Sequence, residues 1–180
     1  MKLVYLAPGN SIHTARWVNA MLDRGHAVHL ITLQPPPDSL LTTANLHVLP
    51  VGAPLGYFLN TPFLKYLIDR IQPDLVNAHR ASGYGLLGRL CCFHPLLLTI
   101  WGNDVYDFPD RSWLAKHLAA SALQSADKVC STSHAMARRA YAICPTISDL
   151  SVIPWGIDTV RFSPRRVIAD DGWITIGSVK

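Results

Sequence analysis

Residues able to do chemistry fall at three kinds of place in this chain: the turn Gly9, Asn10 and Ser11, the ends of apolar runs at His79 and Asp104, and the start of a helical pattern at His13 and Arg16. Gly9 takes backbone angles closed to other residues, while Asn10 and Ser11 offer side-chain oxygens to unpaired helix N–H groups. A strand feeding a helix through such a turn aims several N–H groups at the carboxyl edge of its sheet, where a phosphate or another anion can sit. The same glycine also fits a plain chain reversal. His13 can face an anion, a hydroxyl or solvent; Arg16 reads as solvated helix surface. The turn is neither GxGxxG nor a P-loop, so it indicates neither dinucleotide nor nucleoside-triphosphate chemistry.

A metal centre is not expected. His26 and His29 stand three apart on a strand and face opposite sides, Cys91 with His94 lacks a second ligand pair, and no Asp-x-Asp occurs. The 16 Lys and Arg are scattered along the chain, which argues against a nucleic-acid partner, although the net charge of +4 suits an anionic ligand or a membrane surface. Charged residues make up only 16%, leaving room for an interface. Cys91, Cys92, Cys130 and Cys144 lack a disulfide-framework spacing, and the N-terminus runs straight into a strand rather than a signal peptide, so a cytoplasmic setting is expected. The longest apolar stretch, residues 96–101, falls far short of the ~20 residues of a membrane span.

Elements that must position these residues follow from periodicity. Continuous apolar runs at residues 3–7, 27–32, 45–51, 74–79, 96–100, 128–132 and 150–154 read as strands covered on both faces. Helical spacing appears between them, at residues 12–22, 63–71, 83–92, 112–125 and 133–143, with residues 52–62 loop-like. Strands alternating with helices predict an α/β, doubly wound parallel sheet, Rossmann-like, over residues 1–164. The carboxyl ends of its strands then carry Gly9, His79 and Asp104, where ligands of such sheets bind. Residues 165–180 read as a linker and a further strand, 173–179, which opens a C-terminal domain missing from the chain.

Val152, Ile153, Pro154, Trp155, Gly156, Ile157 and Asp158, with Phe162 and Pro164 beyond, resemble the segment that closes the N-terminal domain of family 4 glycosyltransferases of the GT-B fold. The run from Ser11 to Trp17, Gly25 with His26, the strand ending at His79, and Trp101, Gly102, Asn103 and Asp104 match the same family in order and spacing. Ile176, Gly177, Ser178, Val179 and Lys180 resemble the first strand of its C-terminal domain.

The resemblance implies the acceptor-side, N-terminal half of a GT-B fold. It implies transfer from a nucleotide-diphosphate sugar to an acceptor hydroxyl with retention and without a metal or other cofactor. The acceptor is a glycan, a lipid-linked molecule or a small molecule; the chain alone is expected to be inactive without its missing C-terminal domain. Implied roles are main-chain contact of Gly9 and Asn10 with the donor diphosphate, acceptor contact by His13, Trp101 and Asn103, and catalytic duty for Asp104 and His79. Asp104 would accept a proton from the acceptor hydroxyl, or cap local structure instead. His79 would hydrogen-bond that hydroxyl, or be satisfied by backbone. Many relatives carry His where this chain has Trp101, which offers a flat surface for a sugar ring or core packing. Gly156 and Asp158 read as a structural turn. Tyr57, Phe58, Phe63, Lys65, Tyr66 and Arg70 mix aromatic and basic residues, suiting peripheral contact with the inner face of a membrane or an amphipathic helix packed on the sheet. The alternative is a non-catalytic binding module, or one subunit of a split transferase. A nucleotide-cofactor oxidoreductase would need an acidic residue ending the second strand, where Thr32, Leu33 and Gln34 stand.

Overall fold

In a computed structural model, described over residues 1–37, 45–160 and 162–163, seven strands form one parallel sheet. They are β1 (Lys2–Leu6), β2 (Ala27–Thr32), β3 (Asn45–Val48), β4 (Leu75–His79), β5 (Leu96–Thr99), β6 (Lys128–Ser131) and β7 (Leu150–Val152). Their order across the sheet is β3-β2-β1-β4-β5-β6-β7, the doubly wound pattern that the alternation predicts. The helices are α1 (Ile12–Leu22), α2 (Gly56–Leu59), α3 (Thr61–Ile71), α4 (Tyr84–Cys91), α5 (Trp113–Ser125) and α6 (His134–Ile143). The strand and linker expected over residues 164–180 lie outside the described residues.

Alternation along β1 shows how the layers divide. Val4 and Leu6 face a large core shared with Leu64 of α3, Leu87 of α4, Leu123 of α5 and Ala140 of α6. Leu3 and Tyr5 face the other side, where α1 contributes Val18 and a smaller cluster forms with Val28 and Leu30. Both faces of the central strand are therefore covered, which is why its sequence is apolar at every step.

Small residues let α4 approach closely. A Cβ on Gly88 would meet the Ala78 methyl at 3.2 Å and Leu96 at 3.3 Å. Its start carries two departures from ordinary backbone: Arg80 at φ +72° and Gly83 at φ +47°. α5 and α6 begin conventionally, with Ser112 and Ser133 accepting from the N–H groups of Ala115 and Met136 at 3.1 Å.

One segment departs from its sequence pattern. Residues 52–62 read as a loop, yet they hold α2 and enter α3 without a break. Tertiary packing supplies the reason: Gly56 is so close to the Val51 carbonyl that a Cβ would sit 2.1 Å from it. The Asn60 side chain meanwhile bonds both the N–H (3.1 Å) and the C=O (2.8 Å) of Val51.

Candidate functional site

The strand order reverses between β1 and β4, and the carboxyl ends of β1, β4 and the neighbouring β5 carry the residues singled out in the sequence. They differ in how completely the fold uses their polar groups.

At the end of β1, the Gly9 N–H donates to Thr32 Oγ1 at 2.9 Å. The Thr32 hydroxyl lies 3.1 Å from the Tyr84 hydroxyl, which accepts the Leu33 N–H at 3.0 Å. Burial pushes Tyr84 up to about 12, keeping the phenol neutral in this network. A Cβ on Gly9 would stand 2.4 Å from the Gln34 carbonyl oxygen. The glycine is thus required by close approach to β2, and its N–H is already given to Thr32; Asn10 beside it is exposed.

Asp104, expected as a base or as a local cap, is turned into the fold. It is 2% exposed, and its carboxylate accepts three backbone N–H groups: Ala81 at 2.7 Å through one oxygen, Trp101 at 3.0 Å and Gly102 at 2.7 Å through the other. A carboxylate turned inward to three donors is a clamp between the turns after β4 and β5, in keeping with the capping alternative, rather than a base facing a hydroxyl. Asn103, next to it, is exposed at the rim.

His79 lies inside the fold. It is fully buried, with the Tyr5 ring 5.4 Å away edge-on and the Trp101 ring 5.1 Å away. Neither ring nitrogen has a hydrogen-bond partner among the described residues, and neither has the indole N–H of Trp101. Burial, reinforced by the nearby Arg80 charge, holds His79 down to about 3, so it is neutral. Contact with a ligand would require Trp101 to move.

What the cleft does present is an aromatic and cationic surface. His13 stacks on Trp155 at 3.9 Å between centroids and meets Trp101 edge-on at 5.5 Å. Burial and the charges of Arg16 and Arg80 lower the pKa of His13, favouring the neutral ring. Arg16 donates to the Gly156 carbonyl at 3.0 Å, tying α1 to the segment after β7. His13, Arg16, Trp155 and Gly156 border an open cleft of about 310 Å³. The Arg80 guanidinium lies over Trp101, 4.9 Å from the ring centroid, within cation–π range.

His13 and Trp101, both expected at the site, are therefore brought together; Arg80 and Trp155 complete it. Arg80 escaped sequence reasoning although a cation directly after a buried strand was a usable cue. Its left-handed backbone was not legible. Trp155 stood in the most recognisable motif, where only Gly156 and Asp158 were given a role, as a structural turn. Asp158 in that motif accepts the Val160 N–H at 3.0 Å, as a turn residue does. Among the described residues no group of three or more His, Cys, Asp or Glu side chains is placed to hold a metal ion. No helix among them is long and apolar enough to cross a membrane, and all four cysteines are unpaired.

A family model described as glycosyl transferase 4-like matches residues 2–133. Among solved structures, sucrose-phosphate synthase from Thermosynechococcus elongatus superposes with a TM-score of 0.72 at 15% identity, over 92% of this chain and 50% of that one. A second structure of that synthase gives 0.65 at 16% identity, over 87% of this chain and 90% of the other. A protein described as a UDP-N-acetylglucosamine 2-epimerase from Listeria monocytogenes gives 0.56 at 15%, over 78% and 41%. At such identities the likeness establishes the fold, the N-terminal half of a GT-B fold. The chain spans about half the length of the synthase it matches first. No curated protein matches it significantly in sequence.

Proposed function

The chain belongs to the glycosyl transferase 4-like family, and from that premise we propose that it supplies the acceptor side of an enzyme that moves a sugar from a nucleotide-diphosphate donor to an acceptor hydroxyl. In that reaction the acceptor oxygen bonds to the anomeric carbon, the bond from that carbon to the diphosphate breaks, and the acceptor proton leaves with the diphosphate. The anomeric configuration is retained. A second domain beyond these residues holds most of the donor, and no metal takes part.

The observation that carries this reading is the cluster at the switch point. Arg80, His13, Trp101 and Trp155 form a surface with flat faces for a sugar ring and a positive charge, beside the turn where β1 enters α1. Asp104 takes a positioning role, since it sets the turns that carry Trp101 and Arg80. Asn103, exposed on the rim, is free to reach an acceptor hydroxyl, and Asn10 to reach the donor phosphates.

The test compares the 180-residue chain with the same chain supplied with a donor-binding domain, joined or in trans. Transfer from nucleotide sugars is expected only in the second case, and turnover by the 180 residues alone overturns the assignment. In the active pair His13→Ala and Trp155→Ala are expected to raise the KM for acceptor by about tenfold or more, with the donor KM little changed. A change confined to the donor would place these residues on the wrong substrate.

A further inference from the structure

Arg80 also borders a groove of about 290 Å³ that His13 does not line. That is near the lower bound of ordinary ligand pockets, about 300–1,000 Å³. Pro54, Tyr57 and Phe58 wall it on one side and Phe108 and Leu118 on the other, with Arg80 at its polar end. The wall is built rather than incidental. The Tyr57 ring packs over Gly83 so tightly that a Cβ there would stand 2.6 Å from it, and it meets the Tyr84 ring edge-on at 5.4 Å.

Two features say what would fill it. The Arg80 guanidinium makes no ion pair among the described residues, and the carboxylate on the adjoining turn, Asp104, is committed to three N–H groups. Its charge is left for an anion. Apolar side chains are exposed next to Phe58, itself 46% exposed: Leu55 just before the same short helix and Leu59 at its end, 65% and 60% exposed, and Phe63 of α3. Contiguous exposed apolar residues of this kind mark a binding surface.

On the reading above, in which this half holds the acceptor, we propose that the acceptor is an anionic amphiphile: a phosphate or diphosphate head on Arg80 and a hydrocarbon chain running through the Tyr57–Phe108 groove onto the α2–α3 surface. The hydroxyl to be glycosylated then lies toward Trp101 and His13. The hydrocarbon explains why large apolar side chains line the approach to a charged centre.

The experiment titrates the 180-residue chain with dodecyl phosphate below its critical micelle concentration, following tryptophan fluorescence, since Trp101 lies under the guanidinium. Inorganic phosphate and dodecyl maltoside, the latter with the same chain and an uncharged head, serve as comparisons. Saturable binding of dodecyl phosphate is expected at concentrations at least tenfold lower than either. Arg80→Gln should bring dodecyl phosphate and dodecyl maltoside within about twofold of each other, and Arg80→Lys should restore the preference. Phe58→Ser should weaken dodecyl phosphate and leave phosphate unchanged. Equal binding of phosphate would make this a free-phosphate site, equal binding of the maltoside an uncharged groove, and self-association of the chain through the groove an interface between copies; each overturns the proposal. None touches the glycosyl-transfer reading, which fails only in the transfer assay.

Discussion

The ends of β1 and β4 lie side by side in one sheet, yet they are finished in opposite ways. At β1 the turn is closed by hydrogen bonds that join Gly9, Thr32, Leu33 and Tyr84. At β4 His79 has no hydrogen-bond partner among the described residues, Arg80 is held at φ +72°, and its guanidinium makes no ion pair among them. Buried polar atoms without partners and left-handed backbone at a non-glycine residue each carry a free-energy cost. Their coincidence at one strand end indicates that β1 is built for stability and β4 for binding.

If that contrast holds, the largest effect is the acid sensitivity of β4. Above pH 6.5 His79 is neutral folded and unfolded. Below it the unfolded chain takes up a proton that the folded one refuses until about pH 3, so the unfolded state binds more protons and stability falls with falling pH. The loss is about 1.4 kcal/mol per pH unit, or roughly 4–5 kcal/mol across the window. His79→Phe should flatten this limb in denaturant titrations between pH 6.5 and 3, without loss of stability at pH 7.5, because two unsatisfied nitrogens disappear with it. An unchanged slope would mean that His79 is not the buried neutral base described.

Next in size is an intrusion at β1. Gly9→Ala places a methyl 2.4 Å from a backbone oxygen, which cannot rotate away. Overpacking of this kind costs about 1–3 kcal/mol, and the clash with backbone puts it at the upper end. A chemical-denaturation midpoint equal to that of the parent chain would show that the turn is slack rather than closed. Tyr84→Phe tests the same network more gently. It strips the Leu33 N–H of its buried acceptor, at a cost of about 1–2 kcal/mol, and the loss should be independent of pH from 5 to 9 since the phenol titrates only near 12.

Most of the frame was legible before any coordinates. Strand-like runs marked all seven strands; the central ones, covered on both faces, write themselves as nearly continuous hydrophobic sequence, whereas edge strand β3 leaves Leu46 and Val48 exposed. α2 was not legible: its residues Gly56, Tyr57, Phe58 and Leu59 have no helical period, and the segment is shaped by Asn60 gripping Val51. The site was legible as a place and not as a set of roles. Gly9, His79 and Asp104 do fall at strand ends, but whether a side chain points outward is decided by its partners, and Asp104 and His79 both turn in. Arg80 stands next to His79 in sequence but just past the end of β4, where left-handed backbone turns its side chain over Trp101 while His79 stays buried.

Arg80 itself gives the smallest effect and the sharpest separation. A side chain at φ +72° raises the energy of the backbone by about 1 kcal/mol relative to glycine, which takes this region freely. Arg80→Gly therefore removes strain while removing the guanidinium, the reverse of what a stabilising residue would do. Glycine also loosens the unfolded chain, offsetting part of the gain, so the expected outcome is a midpoint raised slightly or unchanged, by no more than about 1 kcal/mol. The same variant should lose at least tenfold in affinity for an anionic amphiphile. Stability and binding would then move independently at one residue, as they must if the strand end is strained for the sake of its ligand. A variant that lost both together would make Arg80 an ordinary structural residue, and the contrast between the two strand ends would vanish with it.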